Sequence, residues 1–175
     1  EATAILTRAV AERLRARPAG ALRQGSRRLA LALYVILLVL PTVVLVREKA
    51  EKSALVNVYI TGAITKGIAG EELAAIGSLK SAGVVAITDD GHCVQSNEIM
   101  RRALEYARMF DLPLLDHCQD YSLVSDGVMH EGSYSTEMGL RGWPAIGEEV
   151  IVARNILLAE LTGTHIHCQH LSSAN

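Results

Sequence analysis

The sequence lacks paired cysteines and lacks a surplus of positive charge. Its three cysteines, Cys93, Cys118 and Cys168, are an odd number with no CxxC spacing. This argues against a disulfide framework or a structural zinc knuckle and fits a reducing, cytoplasmic setting. The formal net charge is −2, so no overall positive field would draw phosphates, and nucleic acid is not expected as a partner. Aromatic residues are few, at 4%. No methionine stands at position 1, and both ends read as cut. What is present is apolar: half of the 175 residues are hydrophobic, enough for one domain with a real core and too many for a disordered chain.

Two unlike parts meet near residue 52. Residues 1–52 hold ten Lys/Arg against four Asp/Glu, and the remainder holds seven against fifteen. The stretch from Glu1 to Arg28 is rich in Arg and Ala and is compatible with an amphipathic helix. Leu29–Val46 is an uncharged run between Arg28 and Arg47, and its length falls within the range of a membrane span. Pro41 inside it and arginines on both flanks weaken that reading. Two buried strands, or a frame-shifted stretch, are the alternatives. A genuine span would anchor the chain to a membrane.

From Ser53 onward, strand-like and helix-like stretches alternate. "ALVNVYITGAIT" (54–65), "VVAITDDG" (84–91), "LPLLDHCQD" (112–120) and "THIHCQHLS" (164–172) read as strands. "GEELAAIGSLKSAG" (70–83) places Leu73, Ile76 and Leu79 on one helical face, with Gly83 as a stop. "SNEIMRRALEYARMF" (96–110) takes Ser96 as N-cap and aligns Ile99, Ala103, Ala107 and Phe110. Ser125–Gly142 reads as a Gly-rich loop. "PAIGEEVIVARNILLAELTG" (144–163) is the clearest helix, with Pro144 in its first turn and Gly163 at its end. Ile146, Val150, Ala153, Leu157 and Leu161 share a face of it. Apolar strands separated by helices imply an α/β fold with a parallel sheet. Four strands and three helices amount to half of a (β/α)8 barrel or most of a small doubly wound sheet.

Polar residues gather where such strands end, the usual place for function in these folds. "AITDDG" ends in Asp89 and Asp90, "LLDH" in Asp116 and His117, and "HCQH" in His170. Carboxylate and neutral imidazole suit zinc or a similar divalent ion. Asp89-Asp90-Gly91 also reads as an ordinary turn. Strand alternation puts His165 and His167 on one face and His170 on the other, so the first two are expected to pack or to support a ligand from behind. His92 and His130 fall in loops. Cys118 and Cys168 are expected to pack in the core.

In order along the chain, "NVYITGAITKGIAGEELAAIGSLKSAGVVAITDDG", "LPLLDHCQD" and "GVMHEGSYSTEMGLRGWPAIGEEVIVARNILLAELTGTHIHCQHLS" resemble the dihydroorotases, in their bacterial class I form, of the amidohydrolase superfamily. The resemblance covers about residues 54–175. It implies a (β/α)8 barrel, here strands three to six, with one or two metal ions, usually zinc, at the C-terminal mouth. It implies reversible cyclisation of N-carbamoyl-L-aspartate to dihydroorotate in pyrimidine synthesis. By motif, the metal ligands would be Asp90, His117 and His170. Hydantoinases and allantoinases are relatives that typically carry a carboxylated Lys where this sequence reads Asp-Asp-Gly.

Several family features are missing. There is no first-strand His-x-His pair followed by a substrate-gripping Arg, no Asn-bearing segment after strand two, and the proton-carrying Asp of strand eight would lie beyond Asn175. Gln119 stands where the family usually has Glu, His130 where it has Asn, and "NVYITG" lacks an expected Pro. The isolated chain is therefore expected to be inactive, with no catalytic base of its own. Two further readings remain: another cyclic amidohydrolase of hydantoinase type, or a non-catalytic partner subunit. The expected associations are a homo-oligomer or a complex with aspartate transcarbamoylase.

Overall fold

The computed structural model describes residues 40–174, together with the isolated helical positions Leu29 and Leu33. The chain divides into two compact units, Glu1–Leu38 and Val39–Asn175. The amphipathic stretch expected at 1–28, and half of the apolar run Leu29–Val46, lie outside the described residues. Among the described residues, no helix is long and apolar enough to cross a membrane. The end of the apolar run belongs instead to helix α1 (Leu40–Ser53). Pro41 sits in its first turn, where a missing N–H costs nothing. Val43 is buried in the core of the second unit, and the Arg47 guanidinium donates to the carbonyl of Ala82 at 3.4 Å.

Four short strands form a parallel sheet: β1 (Thr61–Gly62), β2 (Ala86–Thr88), β3 (Leu114–Asp116) and β6 (Ile166–Cys168), in the spatial order β1-β2-β3-β6. The register places Ile87 beside Leu114 and Leu114 beside Ile166. These three point into the main core, against Met100, Ala103 and Leu104 of helix α3 (Asn97–Arg108) and Ile76 and Leu79 of helix α2 (Ile76–Ala82). Period-two alternation then puts Thr88, Leu115 and His167 on the opposite face. Parallel strands end on the same side, so the residues after β2, β3 and β6 are brought together.

Both helices follow the expected punctuation. The Ser96 hydroxyl accepts the Ile99 N–H at 3.3 Å, and α2 ends at Gly83 with φ 103°, a conformation only glycine adopts without strain. Other expectations fail for local reasons. The first strand is confined to Thr61–Gly62, and Leu55, Val56 and Tyr59 lie exposed rather than paired. Residues 70–75 are not helical: Leu73 forms an antiparallel bridge with Thr65, and the Thr65 hydroxyl accepts the Gly70 N–H at 2.9 Å, closing the turn between them. The segment expected to be a plain Gly-rich loop holds α5 (Ser133–Glu137) and a second small sheet. That sheet pairs β4 (Met129–His130) with β5 (Gly142–Trp143), and short helix α4 (Tyr121–Val124) precedes it. Gly127 permits the close pairing: a Cβ there would sit 2.6 Å from the carbonyl oxygen of Gly142.

Helix α6 (Ile146–Thr162) ends at Gly163 in the left-handed conformation, as expected. It buries Gly147, Ile151, Asn155 and Thr162. The stripe Ile146, Val150, Ala153, Leu157 and Leu161 is its exposed side. The helix is apolar on more than one face, so periodicity alone does not say which face meets the sheet.

Candidate metal centre

The side chains of Asp90, His117 and His170 meet just beyond the ends of β2, β3 and β6. One ligand atom from each lies within 4.8 Å of the others. His117 Nδ1 is 3.0 Å from His170 Nε2, and His170 Nε2 is 3.7 Å from Asp90 Oδ1. The two imidazoles meet edge to face, with ring centroids 4.8 Å apart. Nitrogen ligands about 2.0–2.1 Å from a tetrahedral zinc lie roughly 3.3 Å from each other. The 3.0 and 3.7 Å separations are within a few tenths of an ångström of that value, whereas the third side of the triangle, up to 4.8 Å, closes only by a larger movement of the exposed Asp90 side chain. One carboxylate and two neutral imidazoles are a fitting donor set for zinc.

Each of the three side chains is placed by local structure. Asp89 and Asp90 are adjacent yet point to different tasks. Asp89 is buried and accepts the N–H groups of Ile64 at 2.8 Å and Thr65 at 3.1 Å, together with the Thr65 hydroxyl. It ties the end of β2 to the segment after β1. Its carbonyl accepts the His92 N–H at 2.8 Å, closing the turn through Gly91 at φ 82°. Asp90 is left exposed and faces the histidines.

His117 follows Asp116 at the end of β3. Asp116 is almost fully buried, and its Oδ2 accepts Asn155 Nδ2 at 2.6 Å and Arg154 Nη2 at 3.1 Å, both from α6. Burial pushes the Asp116 carboxyl up, against the opposing pull of Asn155 and Arg154. Arg154 also donates to the Val94 carbonyl at 2.6 Å, so one guanidinium links α6, β3 and the segment before α3. His170 lies beyond β6 with φ 36°, a strained region for a residue with a side chain. The chain on either side of it is pinned: Gln169 N–H donates to Asp116 O at 3.0 Å, and the Glu148 carboxylate accepts the N–H groups of Ser172 and Ser173. Partial burial works against ionisation of Glu148, but those N–H groups hold its carboxyl below the usual range.

His165 and His167 are exposed and form no part of this cluster. Their exposure means that they do not pack as expected. His92 lies apart, in the turn after Asp90. His130 borders the site: a cavity of about 560 Å³ opens beside it, lined by His117, Gln119, His130, Trp143, Glu148 and His170 among others. The three cysteines form a small cluster behind the site with Ile151 and Val152. All are free thiols, and Cys118 and Cys168 hydrogen-bond each other.

The sequence that builds this sheet is similar to proteins of known family. A Dihydro-orotase-like family model matches residues 42–175. The chain belongs to the dihydroorotase-like family. It is 56% identical over 128 residues to a dihydroorotase of Solibacter usitatus (strain Ellin6076), covering 73% of this chain and 30% of that protein. It is 55% identical over 126 residues to a dihydroorotase of Syntrophotalea carbinolica, and 53% identical over 126 residues to one of Acetivibrio thermocellus. Those two matches each cover 72% of this chain and 30% of the relative. The chain thus spans about 30% of the length of the curated relatives it matches. The family match begins in α1 of this dihydroorotase-like chain, so it takes in the helix that docks through Val43.

Arg154, Asn155 and Glu148 are supporting residues that sequence reading passed over, and Asp116 stood there only as a strand-end carboxylate. A buried carboxylate and its partner on a helix far along the chain leave no local pattern.

Proposed function

We propose that this chain carries the metal-binding strand ends of a zinc-dependent dihydroorotase, which interconverts N-carbamoyl-L-aspartate and dihydroorotate in pyrimidine synthesis. The observation that carries the reading is the convergence of Asp90, His117 and His170 from three neighbouring parallel strands, in a chain of this family. The wider frame is a (β/α)8 barrel, of which the four-stranded parallel sheet would be a contiguous part. A bound zinc would polarise the ring carbonyl and lower the pKa of water, supplying the Lewis-acid chemistry that ring opening needs.

The chain's own residues have separate tasks. Asp90 supplies a negative charge to offset the cation, and His117 and His170 supply neutral nitrogen donors. Trp143 and Met129 give the adjoining cavity apolar surface, while His130, Ser172 and Ser173 give it polar groups. A cavity of about 560 Å³ has the size of a small-molecule site. Proton transfer is assigned to none of the described residues. This chain alone is therefore expected to bind the metal without turning over substrate. Its three free thiols fit a cytoplasmic setting.

The test is an assay of the full-length protein that contains this segment, given dihydroorotate and hydantoin in parallel. Ring opening of dihydroorotate, reduced by more than about a hundredfold in Asp90→Asn, is expected. That loss should exceed the 10–100-fold typical of a residue that only supports a ligand. Turnover of hydantoin in place of dihydroorotate would move the protein to the other branch of cyclic amidohydrolases.

A further inference from the structure

His117 uses both ring nitrogens. Nδ1 faces His170 Nε2 at 3.0 Å, and Nε2 lies 2.7 Å from Gln119 Oε1. A carboxamide oxygen only accepts, so the short contact requires a proton on His117 Nε2. The opposite tautomer would set two lone pairs against each other across that short contact. It would also aim an N–H at the point where the ligand atoms converge.

Gln119 is held so that it keeps this contact. Gln95 Nε2 donates to the backbone carbonyl of Gln119 at 2.9 Å, and Gln95 Oε1 accepts the Tyr121 N–H at 2.9 Å. Asp120 N–H donates to the Gly147 carbonyl at 2.8 Å. Three bonds from two neighbouring segments thus fix the backbone around Gln119, beside the ring whose Nε2 its side-chain oxygen faces.

We propose that Gln119 is a positioning residue for His117: its side-chain carbonyl holds the ring as the Nε2–H tautomer and turns the Nδ1 lone pair toward Asp90 and His170. The inference rests on the reading of His117 as a metal ligand. Imidazole ligands commonly donate their remote N–H to an oxygen, which fixes the tautomer and raises donor strength. A carboxylate at position 119 would be a stronger acceptor for the same proton and an apolar side chain none at all.

The test has two parts. Long-range proton–nitrogen spectra of the metal-free, nitrogen-labelled chain, taken above the ordinary imidazole range, report the tautomer of each ring. His117 is identified by the signals lost in His117→Asn. The expected result is a His117 ring protonated at Nε2, with that proton protected from exchange in the wild type and in Gln119→Glu and unprotected in Gln119→Leu. Zinc titration should then show affinity reduced roughly 10–100-fold in Gln119→Leu and retained in Gln119→Glu.

A wild-type His117 ring protonated at Nδ1 overturns the proposal whatever the zinc titrations give. Loss of zinc in His117→Asn with full affinity in Gln119→Leu overturns the role of Gln119 and leaves the metal reading standing. Unchanged zinc binding in His117→Asn overturns the metal reading and this proposal with it.

Discussion

Asp116 has a side chain only 1% exposed, and its partner Arg154 is 10% exposed. Neither ion is hydrated enough to survive alone. Removing one partner of a buried pair typically costs about 3–5 kcal/mol, because the other charge is left uncompensated. Arg154→Met should therefore lower the stability read by urea unfolding by about that amount. Adding Asp116→Asn should restore a large part of it; no recovery in the double variant would show that Arg154 acts through its other contacts. The cysteines give a second residue-scale prediction. Burial pushes the Cys93 thiol up to about 11, while the hydrogen bond from Cys118 draws Cys168 down to about 7. The thiolate is the reacting form, so slightly above neutral pH Cys168 is largely ionised and Cys93 is not. Timed alkylation with peptide mapping should label Cys168 before the two buried thiols, Cys93 and Cys118, in the folded chain, and the order should vanish in denaturant. The grouping of residues 90, 117 and 170 was legible in the sequence because strand-end motifs carry them. The choice between Asp89 and Asp90 has a physical cause that the sequence does not display: two backbone N–H groups and the Thr65 hydroxyl consume Asp89, and they come from a distant part of the chain.

Helix α6 shows where element-scale reading succeeds and where it stops. Gly163 at its end is a local signal that the structure matches, whereas Pro144, expected in the first turn, stands just before the N-cap Ala145. Its orientation is not local. Leu157 and Leu161 are 65% and 64% exposed, whereas Asn155, a polar residue, is fully buried because Asp116 and Cys118 receive its amide. The helix turns the face that satisfies Asp116 toward the sheet, and its apolar stripe is left outside. Leu157→Glu is accordingly expected to change thermal stability by no more than about 0.5 kcal/mol. Leu104→Ala on α3, fully buried under the sheet, should cost about 2–5 kcal/mol. Thermal or urea unfolding of the two variants side by side checks the contrast; equal losses would mean that the stripe is packed in solution. The β4–β5 pair escaped sequence reading for a similar reason. Two-residue strands carry no periodicity, and only the close approach of Gly127 to Gly142 marks them.

At the scale of the whole molecule, parallel pairing is what makes the site. Strands β2, β3 and β6 are neighbours in one sheet and point the same way, so residues 90, 117 and 170 meet although they are far apart in sequence. Strand–helix alternation and strand-end chemistry made the sheet and its functional edge legible. The sequence did not show how α6 reaches under that edge to pin Asp116 or how Glu148 pins the turn after His170, since both depend on contacts made only in the folded chain. An ion bound by the folded state alone also stabilises it, by about 2.7 kcal/mol at a hundredfold excess over Kd. The most direct measurement is the zinc content of the purified chain, after dialysis against buffered zinc, beside an Asp90→Ala/His117→Ala variant. Zinc bound in proportion to the wild-type chain, and lost from the variant while its circular dichroism is unchanged, is the predicted result; equal zinc in both proteins would contradict the metal centre.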